Sequence, residues 1–103
     1  MDSKRKTGHA RIVNLKGLHA RAAAKLAKLA QEFDVEITVT ANGVSSSAQS
    51  IMDLMLLAAG PGDILQFEGK GNQAETAISA LEFLVETGFD EDKNGIAACR
   101  IDQ

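Results

Sequence analysis

A chain of 103 residues, 45% hydrophobic and 24% charged, has the size and composition of one ordinary globular domain and is neither disordered nor fibrous. Its net charge of −3, with lysine and arginine gathered early and acids late, excludes a nucleic-acid binder built on a broad basic face. The single Cys99 excludes an internal disulfide, and the basic N-terminus is followed by neither an apolar leader segment nor a membrane-spanning run of about 20 apolar residues, so a reducing, cytoplasmic setting without membrane insertion is expected.

Residues 9 to 15, HARIVNL, mix β-branched and polar residues ahead of Lys16-Gly17 and predict a first strand. From Ala20 to Phe33 the pattern changes to a helix, with Leu26, Leu29, Ala30 and Phe33 on one stripe and Arg21, Lys25 and Lys28 forming a basic edge on another face. VEITVT at 35 to 40 alternates, and Asn42-Gly43 supplies the positive-φ dipeptide of a hairpin leading into a strand at 44 to 48. Ser50-Ile-Met-Asp53 has the form of a capping box and predicts a short helix from about Ile51 to Ala58, ended by Gly60-Pro61-Gly62. A strand follows at Ile64 to Glu68. Asn72 with Glu75 suggests a cap for a third helix carrying Ala74, Ala77, Ile78, Leu81, Leu84 and Val85 on one stripe as far as Gly88. GIAACRI near the C-terminus has the composition of a fifth strand or a docked tail. This element order predicts an α+β fold in which helices cover one face of a mostly antiparallel sheet.

His19 stands in a loop immediately before the first helix, where backbone N–H groups lack internal partners and attract anions. A phosphoryl group on its ring would accept hydrogen bonds from the amides of Ala20 and Arg21, and the Arg21 guanidinium would add a second, charged donor. Imidazole is an uncharged nucleophile near neutral pH and can pass such a group on. An isolated surface histidine usually signifies nothing, so the context decides. Gly17-Leu18-His19-Ala20-Arg21 followed by Ala22-Ala23-Ala24 closely resembles the active-site motif of HPr, the histidine-containing phosphocarrier of the bacterial phosphotransferase system. The resemblance runs over about residues 9 to 88 and includes EITVTANG at 36 to 43 and SSSAQSIMDLM at 45 to 55.

The resemblance implies an open-faced β-sandwich of four strands under three helices, phosphorylation of His19, and phosphate stabilisation by Arg21. It also implies transfer from enzyme I to IIA domains. Most members carry a proline where this chain has Ala22, so entry into the helix should be less rigid here. The segment 89 to 103 has no counterpart in typical members and is read as an extension of a single domain spanning 1 to 103.

Ser50 aligns with the serine that HPr kinase/phosphorylase modifies in many members, while its residue type alone is explained by helix capping. Ser45, Ser46 and Ser47 are alternative phosphorylation sites but suit a hairpin strand. Ile51, Met52, Met55 and Leu56 cannot all face inward from so short a helix; about half are expected in the core, and resemblance assigns the rest, with Ala20, Ala24 and Lys28, to a partner surface. His9, His19 and Cys99 have no metal-ligand spacing, and neither metal nor cofactor is expected. The sugar branch of the system and its nitrogen-related branch are not separable by these motifs. Two other classes are a non-catalytic regulatory module, which His19 argues against, and a small acyl-phosphate hydrolase, which would turn over rather than stay phosphorylated.

Overall fold

The computed structural model describes residues 5 to 90. Four strands, β1 (Arg5–Arg11), β2 (Glu36–Ala41), β3 (Val44–Ser47) and β4 (Ile64–Lys70), form one sheet in the order β1-β4-β2-β3, antiparallel at each pairing. Three helices, α1 (Ala20–Ala30), α2 (Ile51–Met55) and α3 (Ala74–Glu86), complete the open-faced sandwich. Strand alternation supplies the sheet's contribution to the core, because side chains two apart share a face. Ala10, Ile37, Val39, Ala41, Leu65 and Phe67 are buried. Their neighbours Thr7, His9, Thr38 and Gln66 lie on the open face and are exposed. Across the sheet, the small residues Ala22, Ala23, Ala27 and Ala30 of α1, with Leu26, pack in the same core as Ala77, Ile78, Leu81 and Val85 of α3.

Several boundaries depart from the sequence reading. β1 begins four residues earlier than predicted and ends at Arg11, because its ladder is set by pairing with β4, from Arg5 opposite Lys70 to Arg11 opposite Ile64. Beyond Arg11 the alternation persists without a full ladder: Ile12 and Asn14 are buried, and Val13 and Leu15 are exposed. α1 stops at Ala30 rather than Phe33, since the Glu32 amide bonds to the Leu29 carbonyl at 3.0 Å and tightens the chain; Phe33 still packs against the core from the turn.

α2 is shorter than expected. Leu57 and Ala58 donate to Leu54 and Met55, three residues back, and Ala58 takes the left-handed conformation, φ 53, that glycine usually supplies after a helix. The turn at Gly60-Pro61-Gly62 therefore follows a helix already ended. Asn72 does not cap α3. Gln73 is the N-cap and makes no side-chain cap bond, while the Asn72 amide donates to Asp34 Oδ2 at 3.0 Å and Gln73 Oε1 accepts from the Asp34 amide at 2.6 Å. These polar side chains fasten the α1–β2 connection instead. Phe89, expected to open an extension, is fully buried in a turn at Gly88–Asp90. The predicted fifth strand or tail at GIAACRI, and Cys99 with it, fall outside the described residues.

Candidate functional site

His19 is the N-cap of α1, with extended backbone, φ −79 and ψ 179, and its carbonyl accepts the first helical bond from Ala23 at 2.7 Å. Its imidazole makes no capping bond to the helix. By helix geometry the amides of Ala20, Arg21 and Ala22 have no acceptor within α1, and they point toward the end at which the ring stands. Arg21 is exposed at the second helical position, and Ala22, in place of the proline, is fully buried, so the helix starts without proline's fixed φ. An anion at this helix end would be favoured by the backbone dipoles, and Arg21 places a guanidinium-bearing side chain on the same first turn.

The loop bearing His19 is held from below. Gly17 has φ 65, and a Cβ there would lie 2.7 Å from the Ala59 carbonyl oxygen and 2.8 Å from the Gly60 Cα, so glycine is needed both for conformation and for close approach. Leu18, buried, donates from its amide to that same Ala59 carbonyl at 3.0 Å. The supporting turn is tied by Asp63, whose Oδ2 accepts from the Gly60 amide at 2.8 Å and from the Asn42 side chain at 3.3 Å. The Gly60 amide first, then the Asn42 amide, hold the Asp63 carboxyl below its ordinary range against the opposing effect of burial.

The second helix supplies a surface adjoining α1, against which it packs. Ser50 is its N-cap and its Oγ accepts from the Asp53 amide at 3.3 Å, the bond the capping-box pattern implies. Leu54 and Leu57 take the core positions, whereas Ile51, Met52, Met55 and Leu56 are 43%, 77%, 44% and 74% exposed. The expectation that about half of these four would be buried is therefore corrected: a five-residue helix has one inward face, and Leu54 occupies it. Ala20 and Lys28 are exposed and Ala24 is half-buried along α1. Lys25 leaves the predicted basic edge, because its Nζ donates to the Phe89 carbonyl at 2.7 Å and ties α1 to the turn after α3. Ser45 to Ser47 lie in β3.

Among the described residues no cluster of three or more histidine, cysteine or acidic side chains could hold a metal ion, and no helix is long and apolar enough to cross a membrane. A polar concavity of about 440 Å³ lies on the open sheet face, lined by Thr7, His9, Thr38, Thr40 and Gln66 among others, and His19 is not part of it.

Fold and site together place a partly exposed histidine at a helix N-terminus, a position that favours anions. Residues 6–87 match the family described as "PTS HPr component phosphorylation site". The chain belongs to that family, and it is a phosphocarrier of the phosphotransferase system. It is 48% identical over 80 residues to phosphocarrier protein NPr of Shewanella violacea, covering 78% of this chain and 88% of that protein. To phosphocarrier protein HPr of Cupriavidus necator it is 42% identical over 80 residues, covering 78% and 90%. A solved structure described as HPr-C-His from Thermoanaerobacter tengcongensis superposes with a TM-score of 0.80 at 36% identity, covering 84% of this chain and 98% of that one.

Two residues that tie the loop bearing His19 or the turn beneath it were missed in the sequence: Asn14, whose side-chain amide donates to the Gly17 carbonyl at 2.9 Å, and Asp63. Asn14 reads as a polar residue on the way out of a strand, and only the fold shows it buried. Asp63 reads as a turn residue; its proximity to Asn42 is a consequence of sheet order and carries no local signal.

Proposed function

We propose that His19 is the residue that carries the phosphoryl group, received from enzyme I charged by phosphoenolpyruvate and passed to IIA-type acceptors in the cytoplasm. The observation that supports this most directly is the placement of His19 as the N-cap of α1, at the end where the first helix amides lack internal acceptors. A ring nitrogen attacks the phosphorus of the donor, an N–P bond forms, and the donor's bond to phosphorus breaks in the same transfer. The amides of Ala20 and Arg21 and the Arg21 guanidinium bear the charge of the resulting phosphoimidazole. No water need be activated, because in the second transfer the acceptor's own nucleophile attacks the phosphorus, the N–P bond breaks and the His19 imidazole leaves. The domain acting in this way is read as the whole chain, with residues beyond the matched region as an extension.

Ile51, Met52 and Met55, with Ala20, Ala24 and Lys28, form the surface on which donor and acceptor alternate; flexible methionines adapt to more than one partner. Ser50, at the edge of that surface, is the site at which a kinase/phosphorylase would regulate docking. The nitrogen-related branch is a second reading, favoured by the similarity to a protein named NPr.

The test is incubation of the chain with phosphoenolpyruvate and enzyme I of each branch, read by intact-protein mass. One added phosphoryl group that is acid-labile, persists without turnover and is lost in His19→Ala is the expected result. Label that remains in His19→Ala, at His9 or a serine, overturns the assignment. The branch is read from which enzyme I charges the protein at the lower concentration.

A further inference from the structure

Among the described residues Asn14 is the buried polar side chain, 3% exposed, in a core otherwise apolar. It lies beneath the turn after α3: a Cβ on Gly88 would be 3.7 Å from that of Asn14. Burying a side-chain amide costs free energy unless its hydrogen bonds are remade, so an aliphatic residue would serve packing as well or better. The Asn14 amide instead donates to the Gly17 carbonyl at 2.9 Å, and the Gly17 amide donates back to the Asn14 carbonyl at 3.3 Å. This closes a turn in which Gly17 has φ 65, and the next two peptides are fixed as well: Leu18 donates to Ala59 and the His19 carbonyl receives Ala23. From Gly17 to His19 each residue has a backbone hydrogen bond that fixes it.

The geometry points to Asn14 as a positioning residue for phosphoryl transfer, its buried amide setting the direction from which the His19 ring meets the donor. It touches no reacting atom. The inference rests on His19 being the carrier residue. Its effect is on orientation, and a displacement of the ring by even about 1 Å is enough to slow an in-line transfer substantially. Partner affinity is unaffected, since Asn14 presents almost no surface.

Two variants test it. Asn14→Leu supplies an apolar filling of similar size and removes the donor; Asn14→Asp keeps the shape and, ionised, removes the donor too. For each, the ring signals of both histidines are followed by NMR, with His9 on the open sheet face as internal control, alongside transfer from phosphorylated enzyme I. The expected result is displaced His19 ring signals with His9 unmoved, and a saturating transfer rate lower by about tenfold. The enzyme I concentration at half-saturation stays within about twofold, and Asn14→Leu melts within about 5 °C of the parent. His19 signals and saturating rates unchanged in a folded variant overturn the inference, as does equal displacement of both histidines, which means a general loosening. If the parent chain takes no phosphoryl group from enzyme I, the carrier reading of His19 fails, while the ring signals still decide whether Asn14 places the ring.

Discussion

Arg21 sits two positions past the N-cap and is exposed, so its side chain contributes no packing to the described core. On the proposed role of His19, the contribution of Arg21 arises when charge appears on that histidine's ring, because planar donors pair with phosphate oxygens two at a time. Arg21→Ala should slow phosphoryl transfer by about tenfold to a hundredfold while leaving the melting midpoint unchanged. Arg21→Lys should recover part of that loss, since an ammonium keeps the charge without the fork. Stopped transfer assays in both directions check this, and equal rates for all three proteins would leave the helix amides as the sole anion holders. Gly17 is the opposite kind of residue, needed by the resting fold. Gly17→Ala places a methyl against backbone atoms of Ala59 and Gly60 at a φ that side chains rarely adopt. It should cost about 2 kcal/mol or more, read as a fall of roughly 10 °C in melting midpoint.

At the scale of elements, α2 combines a satisfied cap with an unsatisfied surface. Ser50→Asp retains an oxygen for the Asp53 amide and adds a charge favourable at a helix N-terminus, so stability should hold within about 1 kcal/mol. The same carboxylate stands beside Ile51 and Met52, where a docking partner must shed water, and an unpaired charge in such a contact is costly. Affinity for enzyme I by calorimetry should therefore fall while the thermal midpoint does not; equal affinities would place the interface elsewhere. The cap was legible because Ser50 and Asp53 carry it locally, and so were the Asn42-Gly43 hairpin, with φ 54 and 78, and the stripe of α3. The end of α2 was not, because it depends on Ala58 adopting a conformation for which its side chain gives no signal. β1 was misplaced for a related reason: Arg5 to Gly8 look like a solvated basic terminus until β4 is laid beside them.

At the scale of the molecule, the position of His19 was readable from five consecutive residues, but its support comes from contacts that sequence distance conceals. Lys25 reaches Phe89, Asn14 lies under Gly88, and Asp63 joins the β2–β3 hairpin turn to the turn beneath the loop that carries His19. The last of these gives a pH dependence whose sign follows from the hydrogen bonds. The folded chain holds the Asp63 carboxyl below the ordinary value of 3.8, through the Gly60 amide and then Asn42, whereas the unfolded chain leaves it near that value. Ionised Asp63 therefore favours the fold at every pH above the ordinary value, and the contribution is lost as pH falls through the lower, folded one. Asp63→Asn removes the ionisable group and one of two equivalent acceptor oxygens. Its melting midpoint should lie below that of the parent by a constant amount from neutral pH down to about pH 5, and the gap should narrow steadily below 3.8. Thermal melts of both proteins across that range check it. A gap that widens on acidification would reverse the sign, and one that does not change would mean that Asp63 ties the two turns no more tightly as a carboxylate than as a neutral acceptor.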